Sequence, residues 1–292
     1  GAAAAGRWRM PSSDDVRAKI REAVEAARAL QPPVIEGDVL IVGSGPAAAA
    51  AKILHVAALA AGIKAAYASP VEASVLVMPY RDFDAVVVYS SDPKDPRALR
   101  AAEEALLMGY RTSLVTPSIQ EDLAARLSQR PGLTLITVER APITTMAVAS
   151  AIWGQGLLGS SPRASRLRAE ISDLAGAADW VGQTFAAALA DLSSKRSFSV
   201  YFTPATEPGA IYLCHADSRC SGMRPLEDLR RGFAETDVLE LATTSEIHDY
   251  RDVELAVSMR GLRPIRVLLN TDPVSAGLYS VMFSALAAGV VL

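Results

Sequence analysis

The hydrophobic positions of this chain fall into blocks whose period switches repeatedly between helix and strand. In 12–30, SSDDVRAKIREAVEAARAL, residues Val16, Ile20, Val24 and Ala27 recur at helical spacing behind an acidic, serine-capped start, and Pro32-Pro33 ends the run. Short unbroken apolar stretches then alternate with longer amphipathic or alanine-rich ones. Strands are expected at 38–42, 65–68, 84–89, 111–115 and 133–138, and helices at 47–61, 97–108, 119–128 and 144–158. Strands that are apolar throughout must be covered on both faces, which predicts an α/β protein with a doubly wound parallel sheet between two helical layers.

After 158 the punctuation changes. The stretch GSSPRAS at 159–165 gathers Gly, Ser and Pro between two periodic segments and marks a boundary. A long helical connector over 166–192 leads into a second α/β region, with strands expected at 199–202, 210–213, 238–241 and 266–269 and helices at 226–234, 253–260 and 276–288. The chain thus divides into an N-terminal lead and helix (1–33), a first domain (34–158), a helical connector (159–192) and a second, shortened domain (193–292). Each half opens with a strand, a small-residue loop and a helix, and no short fixed period marks a solenoid.

Composition narrows the function. Half of the 292 residues are hydrophobic, enough for one large α/β domain or two ordinary ones. The formal net charge of -3, with no long basic run, argues against nucleic acid as a partner. The lead GAAAAGRWRMPSSDD lacks the apolar core of a signal peptide, and 277–292 is too short to span a bilayer, so a buried final helix and no membrane partner are expected. Cys214 and Cys220 are too few for a disulfide framework and lack zinc-site spacing. Their six-residue separation leaves room for one bridge, and a reducing, cytoplasmic setting is expected. Three scattered histidines, no Walker lysine motif and no Gly-x-Ser-x-Gly elbow point away from metal, P-loop and serine hydrolase chemistry.

The stretch VLIVGSGPAAAAA at 39–51 has the form of a dinucleotide-binding turn, with Gly43 and Gly45 free to approach a pyrophosphate. Such a site also needs an acidic residue about 20 positions on to hold the ribose. The second strand reads IKAAYASP, small and neutral where that acid belongs, and Glu72 lies beyond it. No cofactor is therefore expected. An NAD- or FAD-dependent oxidoreductase stands as an alternative, as does a tight turn that holds no ligand.

The segments VLIVGSGPAAAAAKILHVAALAAGIKAAYASPVEAS, DAVVVYSSDPKDPRALRAAEEALLMGYRTSLVTP and APITTMAVASAIWGQGLL together resemble the sugar isomerase (SIS) family in order and spacing. The resemblance covers about 34–158 and extends loosely beyond. It implies a flavodoxin-like SIS fold in two unequal SIS-like halves, with a sugar phosphate bound at the carboxyl ends of the strands. On that resemblance Gly43, Ser44 and Gly45 line the sugar, Ser90 and Ser91 open the phosphate loop with Lys94 beside them, and Thr144 or Thr145 supplies a later hydroxyl. Hydroxyls and free N–H groups at a helix start suit a phosphate. The chain departs from the pattern at Asp92-Pro93-Lys94-Asp95, which stands where the family has Ser-Gly-x-Thr. A carboxylate cannot donate to a phosphate. Lys94 and Arg97 could offset the repulsion, or Asp95 could simply cap the helix beginning at Pro96.

In the second half, LRRGFAETDVLELATTSEIHDY resembles the catalytic region of two-domain family members. The resemblance makes Glu235 the base that moves a proton between sugar C1 and C2, and His248 the ring opener, with Glu246 nearby. His215 is expected on a strand-to-loop edge facing the same cleft, and His55 is read as structural. The implied activity is aldose–ketose isomerisation or amino sugar phosphate deamination. A non-catalytic sugar-binding or structural member with a decayed phosphate loop is the alternative. Family analogy also implies a homodimer.

Overall fold

The computed structural model describes residues 13–231 and 237–292. Helix α1 (Ser13–Arg28) buries Val16, Ile20, Ala23, Val24 and Ala27, the stripe that its spacing predicts. The first half then runs β1 (Val39–Gly43), α2 (Ala48–Ala60), β2 (Ala65–Ala68), α3 (Pro70–Glu72) continuing into a π-helical turn at Ala73–Val77, β3 (Ala85–Tyr89), α4 (Pro96–Leu107), β4 (Arg111–Pro117), α5 (Glu121–Ser128), β5 (Leu133–Val138) and α6 (Pro142–Leu157). The five strands form one parallel sheet in the order β2-β1-β3-β4-β5. Strands β1 and β3 are buried along their whole length, which is why VLIVG and AVVVY carry no polar alternation.

The connector is three helices rather than one: α7 (Pro162–Ser172), α8 (Leu174–Thr184) and α9 (Ala186–Ser193), broken at Asp173 and Phe185. The second half contains β6 (Phe198–Phe202), α10 (Glu207–Ala216), β7 (Cys220–Pro225), β8 (Asp237–Thr243), α11 (Arg251–Met259), β9 (Ile265–Leu269) and α12 (Pro273–Ala288). Its parallel sheet has the order β7-β6-β8-β9, the first sheet's order without the fifth strand.

Three sequence expectations are corrected here. The apolar run 210–213 is not a strand but the middle of α10, where burial against other helices makes it apolar all round. The second strand of this half is instead CSGMRP, whose mixed polar composition hid it. Of the helix expected at 226–234, the part over Leu226–Arg230 is a 3₁₀ turn anchored by buried Leu226 and Leu229, and 232–234 lie outside the described residues. The spacing that left room for one cysteine bridge does form it, between Cys214 near the end of α10 and Cys220 at the start of β7.

The halves share a core. Helices α2 and α6 of the first pack on α10 and α12 of the second, and Ile53, Leu54, Met146, Tyr212 and Phe283 are fully buried in one cluster. Alanines 49, 50, 51, 57 and 58 bring α2 close to its neighbours on several sides, which accounts for its composition.

Candidate functional site

The site begins at the turn between β1 and α2. Gly45 has a φ of +54°, and a Cβ there would lie 2.6 Å from the Ser91 Oγ. At Gly43 a Cβ would meet the Ala48 Cα at 2.7 Å, so the turn demands glycine at both places. The Ser44 N–H donates to the Tyr89 carbonyl at 3.0 Å, tying this turn to the end of β3. The Ser90 N–H in turn donates to the Val115 carbonyl of β4 at 2.9 Å. Strands β1 and β3 flank the point where the strand order reverses, which is where open α/β sheets form a crevice at their carboxyl ends.

The two turns touch, and a carboxylate closes the space between them. The Ser44 hydroxyl donates to the Asp95 carboxylate. Asp95 also caps α4, accepting from the Arg97 N–H at 3.0 Å and the Arg97 Nε at 3.3 Å, with Pro96 at the first helical position. Burial pushes the Asp95 carboxyl up, but the hydrogen bonds from Ser44 and Arg97 outweigh it and hold the group below the usual carboxylate range. It is ionised at neutral pH. The Ser90 hydroxyl donates to the Asp92 carbonyl at 2.5 Å, and the Asp92 carboxylate accepts from the Lys94 N–H at 2.9 Å. The Lys94 and Arg97 side chains are exposed around this loop.

Gly43, Ser44, Gly45, Ser90, Ser91 and Lys94 therefore gather at one sheet edge. The two threonines have other partners. The Thr144 hydroxyl pairs with the Tyr212 hydroxyl at 2.8 Å, and the Thr145 hydroxyl donates to the Arg140 carbonyl at 2.7 Å. Both side chains are buried.

The second half repeats the arrangement with different residues. Glu246, in the loop after β8, accepts from the Thr203 hydroxyl at 2.6 Å, the Ala205 N–H at 2.9 Å and the Thr243 hydroxyl at 2.8 Å. A side-chain carboxylate thus fills the turn after β6, as Asp95 meets the turn after β1. Position in the strand order is the signal that could have singled it out, since β8 matches β3 and β6 matches β1. His248 is exposed on the 3₁₀ turn Ile247–Tyr250, two residues further on. Glu235 lies outside the described residues.

The remaining histidines and the acid weighed for a ribose are also placed. His55 lies 6.0 Å from the Tyr67 ring, and burial above all keeps its pKa below the ordinary imidazole value. His215 is not on a strand-to-loop edge but in the last turn of α10, its Nδ1 2.8 Å from the Ile211 carbonyl. The sequence reading missed Lys52, which pairs with Glu207 of α10 at 3.1 Å and sits 4.0 Å above the Tyr67 ring, joining the halves. Glu72 accepts from the Ser69 N–H at 2.8 Å in a capping box, so its carboxylate is engaged at the start of α3. Among the described residues no group of three or more His, Cys, Asp or Glu is placed to hold a metal ion, and no helix is long and apolar enough to cross a membrane.

These features define a double, doubly wound α/β protein with a small-residue turn at the switch point of its first sheet. Solved structures with this architecture all but span the chain. Glucosamine-6-phosphate deaminase from Thermotoga maritima superposes with a TM-score of 0.66 at 15% identity, covering 94% of this chain and 92% of its own. The C-terminal domain of glucosamine-fructose-6-phosphate aminotransferase from Francisella tularensis gives 0.68 at 13% identity, covering 99% and 97%. Tagatose-6-phosphate ketose/aldose isomerase from Escherichia coli gives 0.61 at 12% identity, covering 99% and 94%. No protein-family model and no curated protein matches the sequence. The chain shares the fold of these proteins.

Proposed function

We propose that this protein binds a sugar in the crevice between the Gly43–Gly45 turn and the Ser90 turn, as a binding protein rather than an isomerase. The observation that carries the reading is the Ser44–Asp95 hydrogen bond. A hydroxyl suited to a ligand phosphate already donates to an ionised carboxylate, and a phosphate arriving there would meet a like charge. At about 4 Å and an effective dielectric of 20 that repulsion is roughly 4 kcal/mol for each pair of unit charges. An unphosphorylated sugar or a cationic amino sugar meets no such penalty, and the Ser91 and Lys94 side chains remain to contact its hydroxyls.

The fold neighbours favour a second reading, a sugar phosphate isomerase or amino sugar phosphate deaminase in which Glu235 and His248 move protons. It requires Asp95 to leave Ser44 when the phosphate binds, with Lys94 and Arg97 turning inward to replace it. A thermal-shift screen separates the two. The first reading expects stabilisation by glucosamine or a free hexose and none by hexose phosphates, with Asp95→Ser gaining a hexose phosphate response. Stabilisation of the unmodified chain by a hexose phosphate, together with turnover abolished in His248→Ala, would establish the second instead. Silence from every sugar would remove both.

A homodimer belongs to this proposal. Val71, Val75, Leu76 and Tyr80, all more than half exposed on one stretch of α3 and the turn after it, offer an apolar surface for it. Light scattering of the unmodified chain and of Leu76→Asp tests the assembly.

A further inference from the structure

A cleft of ≈ 530 Å³ lies where the connector helices α7 and α8 meet the carboxyl end of β9 and the start of α12. Two aromatic rings stand in it. Trp180 of α8, 39% exposed, and Tyr279 of α12 pack edge to face with centroids 5.5 Å apart and planes at 67°. Glu170 of α7 and Asp173 at the α7–α8 junction add two carboxylates, and the lining contains no lysine or arginine. The neighbouring acid, Asp272, is already paired with Arg163 by hydrogen bonds of 2.7 and 2.9 Å.

The polar groups are set but not all used. The Ser275 hydroxyl donates to Glu170 at 2.8 Å, orienting that carboxylate, and the Asn270 side-chain oxygen accepts from Thr244 at 3.1 Å. The Thr271 Oγ1 is buried with no hydrogen-bond partner. Burial first, and then the Glu170 and Asp173 carboxylates, push the Tyr279 hydroxyl up to about 12, so the negative field of both acids reaches the ring.

We propose that this cleft binds a small organic cation, its ammonium group against the Trp180 and Tyr279 rings and balanced by Glu170 and Asp173. Aromatic faces attract cations through the ring quadrupole, most strongly for Trp, and quaternary ammonium groups are held this way in aromatic cages. The carboxylates repel an anion, so the chemistry is opposite to that of a phosphosugar pocket. The site also lies at the carboxyl edge of the second sheet, outside the first-half crevice, and does not rest on the sugar-binding reading.

Calorimetric titration of the full chain with choline and with its neutral carbon isostere, dimethylbutanol, tests this. Choline is expected to bind saturably and at least about fivefold more tightly than the isostere. Glu170→Gln and Asp173→Asn should each weaken choline by about threefold or more, and Asp95→Asn, in the other crevice, should leave it unchanged. Circular dichroism reports whether each variant folds; if one does not, the choline-to-isostere ratio on the unmodified chain decides. Absence of choline binding up to about 50 mM, equal affinity for the isostere, or unchanged affinity in both folded carboxylate variants would overturn the proposal.

Discussion

Laid side by side, the two halves close equivalent turns with carboxylates from equivalent loops, but they do so to different degrees. Asp95 takes one hydroxyl from the turn after β1 and spends its other bonds capping its own helix. Glu246 takes a hydroxyl and a backbone N–H from the turn after β6 and a further hydroxyl from β8. The sheets differ in the same sense. The central strands of the first are apolar, whereas β8 buries Glu240, paired at 2.9 Å with Arg266 of β9, which also reaches Glu254 of α11. The first turn takes a single side-chain bond from its carboxylate, and the second a network. A crevice that must admit a ligand fits the first design, and a fixed structural corner fits the second.

The largest perturbation should come from the core the halves share. Phe283→Ala in α12 removes a ring packed on Phe185 and is expected to cost about 3–5 kcal/mol in one cooperative transition. Two separate urea transitions, one for each half, would break the comparison by making them independent bodies. Next, Glu246→Ala removes the carboxylate that three donors share and should cost about 2–3 kcal/mol, against about 1–2 for Asp95→Ala, read from urea midpoints. Equal losses would erase the asymmetry.

Reduction of Cys214–Cys220, a short bridge with no counterpart in the first half, should lower stability by about 2 kcal/mol, checked by denaturation with and without dithiothreitol. A dependence on pH, spread over more than two pH units, is also expected. Burial first, and then Glu254, raise the Glu240 carboxyl to about 7 from an ordinary 4.5, while Arg266 pulls it back. The folded chain then holds this proton more tightly than the unfolded one. Its contribution is complete below 4.5 and is lost as pH rises from there through about 7, by on the order of 1 kcal/mol per pH unit. Glu240→Gln should flatten that part of the stability profile.

The first half was legible because its strands are buried on both faces and bounded by glycine, proline or charge. The expected spans 65–68 and 133–138 coincide with β2 and β5, and the other three strands differ by a few residues at their ends. The second half was less so for identifiable reasons. Residues 210–213 are an apolar run that suits a buried strand or a buried helix equally, and only their contact with α12 decides for helix. The strand Cys220–Pro225 lies at a sheet margin with polar side chains and carries no period. Of the candidate site, the turn glycines and the capping role open to Asp95 could be read locally. The Ser44–Asp95 contact spans 51 positions and the Thr203–Glu246 contact 43, and no local pattern encodes either.

The missing fifth strand leaves β9 at the margin of its sheet, with one row of backbone groups outside the ladder. Such margins invite another chain to add on, and charged side chains are a common deterrent. Arg266 is the second residue of this strand, exposed, between buried Ile265 and Val267. The guanidinium that pairs with Glu240 thus also places a charge on the open margin of the sheet.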